Sequence, residues 1–400
     1  MIRDNANDSQ LQHDEQVLSL SMWTQGDGGM TKLALRRAWF QVHKWIGLIL
    51  AILIIPISVT GAALVWDEAL DHAINPQRYA VSGGTPIDPD LYLQAARGAL
   101  GPGDRVTTLT LPDDDGDPVI VTASAPSPAG RSGLPTRTTL YLDPPTARVL
   151  DKAVGNSGLI RTMHVIHGSL MVPGLGRQIV GWIGVAMMFS CFTGLWLWWP
   201  TVGKWVRGLR WRRHNNLDTN LHHLMGFWIA LPLFVLSLTG AWISFPQFFG
   251  ALGGGGQPRA AGPDRAAQAR ARPLETTRLS LDTVIASAQA VVPGDVRQVS
   301  WPTDLKAEWR VAFDGNPQPT ATVDDQSGAA KAGRAQKEDT ARLMRRIHDG
   351  TRMGLLWQVI IVLGGILPAM LAITGVIMWW RARSWKADLK ARQAAKAAVR

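Results

Sequence analysis

Four long apolar runs divide the chain, at about residues 43–66, 177–199, 223–246 and 355–380. No charged residue lies between Trp45 and Trp66, between Gly181 and Trp199, between Leu224 and Phe249, or within Leu355–Trp380. A helix needs roughly 20 apolar residues to cross a bilayer, and soluble core helices are rarely apolar for so long, so the pattern predicts four spans. Between runs one and two, and again between three and four, the pattern shortens and alternates. Pro89–Leu100 reads as a helix ending at Gly101-Pro102, followed by extended Val106–Leu111, Pro118–Ala123 and Thr138–Leu142. A turn at Asp143–Val149 leads into a last short strand. The later segment repeats this with Leu281–Val292 helical and Val296–Trp301, Glu308–Phe313 and Thr320–Val323 extended, before a turn at Asp324–Gly328.

The chain also says the same thing twice in its residues. Val42-His43-Lys44-Trp45-Ile46-Gly47, running on to Thr60-Gly61, returns as Leu221-His222-His223-Leu224-Met225-Gly226, running on to Thr239-Gly240, at an offset of 222 − 43 = 179. Met163-x-x-Ile166-His167, Thr193-Gly194 and Trp198-Trp199 return as Met344-x-x-Ile347-His348, Thr374-Gly375 and Trp379-Trp380, at an offset of 348 − 167 = 181. Internal repetition decides architecture before local reading does. The expected fold is an α-helical membrane protein: four transmembrane helices as a two-fold internal repeat, each repeat carrying a small α+β unit outside the bilayer.

Basic residues close to the spans set the orientation. Lys32, Arg36, Arg37 and Lys44 precede the first span; Lys204, Arg207, Arg210, Arg212 and Arg213 lie between spans two and three; Arg381, Arg383, Lys386, Lys390, Arg392, Lys396 and Arg400 follow the fourth. All three belong on the cytoplasmic side, which puts both termini there and both α+β units outside. The expected segments are a disordered cytoplasmic leader over 1–35, span one over 36–66, the first outer unit over 67–158, and span two with its lead-in over 159–200. A basic loop over 201–221, span three over 222–249, the second outer unit with its Gly/Pro linker over 250–340, span four with its lead-in over 341–381 and a basic tail over 382–400 complete the chain. Gly250–Pro263 is the clearest of these linkers. Residues 1–30 lack the apolar core of a signal peptide, and Met30 is a candidate natural start.

The net charge of +10 is accounted for mostly by these cytoplasmic clusters, so nucleic acid is not among the expected partners; membrane lipid is. Cys191 is the only cysteine and falls in the second span, which excludes an intrachain disulfide, a cysteine-ligated iron–sulfur cluster and a Cys-type zinc site. No Gly-rich dinucleotide fingerprint follows a predicted strand. Any nicotinamide or flavin chemistry would therefore belong to a partner.

The candidate chemistry lies in the histidines. With alternating helices, His43 and His222 start spans at the cytoplasmic face, while His167 and His348 precede spans at the outer face. Two like-oriented repeats related by an axis along the membrane normal set His43 opposite His222 and His167 opposite His348, at two depths. Facing neutral imidazoles across a helix bundle are the ligands that low-spin haem iron takes, and no Cys-x-x-Cys-His site offers covalent attachment. The expectation is two b-type haems, with the four histidines as metal ligands and no catalytic side chain. His223 and His164 have no repeat partner, since Lys44 and Arg345 stand in their places, and are candidates for supporting or alternative ligands. The Thr-Gly steps would clear space for close approach of helices or of a flat ring. Trp45, Trp66, Trp198, Trp199, Trp379 and Trp380 read first as an interfacial belt. His13, His72 and His214 lie in polar context and read as solvated.

These features resemble the PepSY-associated transmembrane family, the iron-regulated inner-membrane proteins that include ferric-siderophore reductases. The resemblance is carried by Val42-His43-Lys44-Trp45-x-Gly47, by His167-Gly168 with Pro173-Gly174-x-Gly176, and by the Thr-Gly and Trp-Trp steps. It is also carried by the Asp143-Pro144-Pro145-Thr146 turn, which matches PepSY domains, with Asp324–Gly328 as a looser second copy. It covers roughly residues 36–385. The resemblance implies a bacterial inner-membrane protein with periplasmic PepSY-like domains and a ferric siderophore or other ferric chelate as electron acceptor. Quinol or a cytoplasmic reductase would be the donor. Two other readings are a haem-carrying membrane subunit linking quinone to another periplasmic oxidoreductase, and a non-redox scaffold that regulates a peptidase or transport.

Overall fold

Among the described residues, four helices are long and apolar enough to cross a membrane. They are α1 (Lys32–Ala63), α5 (Gly176–Trp198), α6 (Leu217–Ser244) and α10 (Leu355–Ala398). The computed structural model describes residues 32–125, 136–155, 158–199, 209–210, 214–252, 267, 271–315, 317–333 and 339–398. Residues 1–31, Gly253–Pro263 of the linker, and Lys204, Arg207, Arg212 and Arg213 lie outside the described residues.

Two boundaries differ from expectation. Helix α1 begins at Lys32, inside the segment read as leader, because the run from Lys32 to Arg37 contains only good helix formers. Helix α10 does not stop after Trp380. Its 44 residues amount to about 66 Å at 1.5 Å per residue, roughly twice the hydrocarbon thickness of a bilayer, so the tail is an extension of the fourth span. Arg381 fastens it by donating to Asp218 at 2.6 Å and to Thr219 at 3.0 Å, at the start of α6.

Helix α1 packs on α10, and α5 on α6, through glycines at close backbone approach. A Cβ on Gly184 would stand 3.1 Å from the Ser237 carbonyl oxygen, and one on Gly365 would stand 2.5 Å from that of Ser58. Small residues let helices pack closely where the bilayer supplies no hydrophobic drive.

Outside the bundle, α2 (Asp67–Ile74) and α3 (Pro89–Ala99) precede strands β1 (Arg105–Thr110), β2 (Val119–Ala125), β3 (Thr136–Leu142) and β4 (Val149–Val154). Helix α4 (Leu159–Ser169) then leads to α5. The second half places α7 (Pro246–Leu252) and α8 (Leu281–Val291) before β5 (Val296–Ser300), β6 (Glu308–Phe313), β7 (Thr320–Asp324) and β8 (Ala330–Ala332). Helix α9 (Thr340–Asp349) leads to α10.

The two outer units are not separate. Their strands form one eight-stranded sheet in the order β4-β3-β2-β1-β5-β6-β7-β8, joined where Thr108, Leu109 and Thr110 pair with Ser300, Val299 and Gln298. Pairing β1 to β5 removes two open sheet edges that separate units would leave exposed. One face carries the core, with Leu109, Val121, Leu140, Val299, Trp309 and Phe313 packed under Tyr92 of α3 and Val284 of α8. The other face is polar: Thr139, Thr122, Thr108, Ser300, Arg310 and Thr322 stand in register across six strands.

Two buried carboxylates tie the sheet's turns to the chain before each helix. Asp143 accepts from Ser82 N at 2.7 Å and from Thr146 Oγ1 at 2.5 Å. In the looser second copy these duties are divided. Asp324 accepts from Ser327 Oγ at 2.7 Å, while Asp325 accepts from Arg278 N at 3.0 Å and Trp309 Nε1 at 2.8 Å. The sheet is fastened to the bundle through Arg78, which reaches Asp71 of α2 at 2.9 Å and Asp151 of β4 at 2.7 Å.

Candidate functional site

Tertiary packing brings the four repeated histidines together as two pairs. The His43 and His222 rings have centroids 6.4 Å apart, and those of His167 and His348 are 5.9 Å apart. A metal–imidazole bond is about 2.0–2.1 Å, as for zinc, so two rings ligating one ion from opposite sides have centres roughly 6 Å apart. The pairs sit at opposite ends of the bundle. On α1, His43 and the Gly61 that receives His167 are 61 − 43 = 18 residues apart, about 27 Å of helix. His167 and His348 are carried not by the spans but by the short helices α4 and α9, on the sheet side.

Each ring rests on one Thr-Gly step of a different helix. A Cβ on Gly61 would stand 2.5 Å from Cε1 of His167; on Gly194, 3.1 Å from that of His43; on Gly240, 3.0 Å from that of His348; and on Gly375, 3.5 Å from that of His222. These glycines therefore make room for imidazoles, and it is Gly184 and Gly365 that serve helix contact. Gly61→Ala is expected to cost about 1–3 kcal/mol as an overpacked site. Gly375→Ala, at ordinary contact distance, should be near neutral. Thermal unfolding of the two variants in detergent checks the difference.

The preceding threonines set the tautomer. His43 Nδ1 lies 3.0 Å from Thr193 Oγ1, His222 Nδ1 3.0 Å from Thr374 Oγ1, and His348 Nδ1 3.0 Å from Thr239 Oγ1. Each hydroxyl has one proton, already donated along its own helix: Thr193 to the Phe189 carbonyl at 2.9 Å, Thr374 to Met370 at 2.8 Å and Thr239 to Val235 at 2.9 Å. The oxygen must then accept from Nδ1–H, which leaves the Nε2 lone pair free. His167 reaches the same state by donating Nδ1–H to the Ile57 carbonyl at 2.8 Å. Burial is the leading cause holding the His167 and His348 imidazoles below the ordinary histidine range, so both stay neutral near pH 7, the form that ligates a metal.

Around the far pair lies a cavity of about 650 Å³, within the range of cofactor pockets. Gly47 and Gly226, one turn after His43 and His222, line it, and a Cβ on Gly47 would meet nothing within 4 Å. Among the described residues, Lys44 and Arg383 are the charged ones that line it. The cavity thus suits a flat apolar body with an anionic edge.

The supporting candidates divide differently. His223 lines the cavity, but its ring stacks on His214 at 5.0 Å, so His214 is a ring partner and not merely solvated. His164 is exposed, with Nδ1 3.0 Å from the Ile160 carbonyl of its own helix, and joins neither pair. His72 stacks on Tyr79 at 4.3 Å, and His13 lies outside the described residues. Two tryptophans leave the expected belt. Trp198 is 4% exposed and stacks on Phe227 at 4.3 Å, and Trp198 and Trp379 both line the cavity, whereas Trp45, Trp66, Trp199 and Trp380 are exposed. Sequence reasoning singled out the glycines but missed the threonines as histidine acceptors, although Thr precedes Gly in all four steps.

No curated protein matches the chain. A family model does, over residues 40–382, and the chain belongs to the PepSY-associated TM region family.

Proposed function

We propose that this membrane protein is an inner-membrane di-haem reductase, moving electrons across the bilayer to a periplasmic ferric siderophore or similar ferric chelate and releasing ferrous iron. The observation that carries the reading is the pair of facing imidazoles at each end of the bundle, with centroids 6.4 and 5.9 Å apart and Nε2 free in each ring. His43 with His222, and His167 with His348, would each hold one b-type haem. When bound, haem supplies reversible one-electron chemistry, and one-electron reduction weakens a hard-oxygen iron(III) complex.

The chain's own residues fit that group. Gly47 and Gly226 leave space beside the far ligands, and Lys44 and Arg383 offer cations to an acidic edge. The Thr-Gly steps seat each ring, and Thr193, Thr374 and Thr239, with the Ile57 carbonyl for His167, hold one tautomer in each. The far pair would face the cytoplasm with both termini, and the sheet would be a joined pair of PepSY-like units in the periplasm. Duplication of one unit accounts for the recurrence of Gly184 with Ser237 in Gly365 with Ser58. Quinol or a cytoplasmic reductase would supply the electrons.

Detergent-purified protein reduced with dithionite is expected to show the sharp α and Soret bands of low-spin b-type haem. Pyridine haemochrome analysis should give about two haems per chain, one for each histidine pair. Colourless protein from haem-replete cells would reject the reading.

A further inference from the structure

Resting on the haem reading above, we propose that Thr193, Thr239 and Thr374 are positioning residues that set the reduction potentials of the two sites. Thr60, their counterpart in sequence, is not one. The first three accept Nδ1–H of a histidine at 3.0 Å. Thr60 Oγ1 instead lies 2.6 Å from the Pro56 carbonyl and 3.1 Å from that of Ile57, and His167 donates past it to the Ile57 carbonyl at 2.8 Å. An acceptor on Nδ1–H makes the opposite nitrogen more basic, which favours the oxidised metal and lowers its potential. Removing the acceptor therefore raises the potential.

Each of the three histidines bonded to a threonine also has a second neighbour. Ser190 Oγ stands 3.4 Å from His43 Nδ1, and the Leu236 carbonyl stands 3.1 Å from His348 Nδ1. The Leu371 carbonyl is likewise a backbone partner of His222. The contrast is between these three hydroxyls and Thr60, which bonds the Pro56 and Ile57 carbonyls and no histidine. Packing alone would produce no such contrast, because Thr60, Thr193, Thr239 and Thr374 are all buried and valine copies their shape.

The test is a spectroelectrochemical titration of the α band in full-length protein, with haem content measured beside it. Thr374→Val is expected to raise one midpoint by about tenfold in the equilibrium constant of reduction, about 59 mV for one electron. Thr374→Ser should restore it. Thr193→Val and Thr239→Val should give upward shifts of similar size, the first at the same midpoint as Thr374→Val and the second at the other. Thr60→Val should move neither. Loss of one haem from Thr374→Val, with full occupancy in Thr60→Val and Thr374→Ser, supports the proposal in the same way. An unchanged midpoint in haem-replete Thr374→Val, or a shift in Thr60→Val as large as that in Thr374→Val, overturns it. Haem-free wild-type protein would instead reject the reading beneath it.

Discussion

Protein carrying His222→Ala is expected to hold one haem where the wild type is expected to hold two, and His43→Ala should lose the same one. The two ring centroids lie 6.4 Å apart, so each substitution would remove half of the proposed ligand set. Ligands that act as a unit are non-additive, and the His43→Ala/His222→Ala double variant should lose nothing more. His167→Ala and His348→Ala should behave likewise at the sheet-side site, where the centroids are 5.9 Å apart. His223→Ala should keep both haems, because that ring is committed to His214 at 5.0 Å. His164→Ala should do the same, its ring being outside both pairs. Pyridine haemochrome assay with reduced spectra of the seven variants measures this. Loss of one shared haem in His43→Ala and His348→Ala would break the pairing and the topology with it.

The second large effect concerns the acceptor. Reduced wild-type protein mixed with a ferric hydroxamate should lose its α band while a ferrous-specific chromophore develops. The sheet-side pair lies on the helices α4 and α9, next to the outer sheet, so a chelate arriving there meets that site first. Removal of His167 or His348 should abolish reoxidation. Removal of His43 or His222 should leave the chemically reduced sheet-side site reactive while blocking electron delivery from the far side. Stopped-flow spectroscopy follows both. A reduced spectrum unchanged by ferric chelates but bleached by a quinone would assign the chain to the membrane-subunit reading, with haem binding intact.

Much of the frame was legible in the residues alone. The spans follow from apolar runs that no charge interrupts, and the strands from short alternation between turns such as Asp143–Val149. Both patterns are local, and their periods survive without knowledge of neighbours. The constant offsets of 179 and 181 residues marked His43 with His222 and His167 with His348 as equivalent. Equivalence under a two-fold axis was enough to pair them.

What the tertiary structure alone decided is everything that depends on register between elements far apart in the chain. Which Thr-Gly step receives which histidine is set by how α1 meets α5, how α6 meets α10, and how α4 and α9 dock on α1 and α6. The repeat makes Thr60 and Thr239 alike, yet the small difference in how α4 and α9 dock sends His167 to a carbonyl and His348 to a hydroxyl as well. Trp198 turns into the bundle onto Phe227, which a belt of aromatics at a span's end does not announce. The joining of β1 to β5 likewise escapes the strand pattern, because an open edge and a paired edge carry the same alternation of side chains. Sequence determined which residues are equivalent; packing decided what each of them touches, because a hydrogen-bond partner is chosen by tenths of an ångström across an interface and not by spacing along one helix.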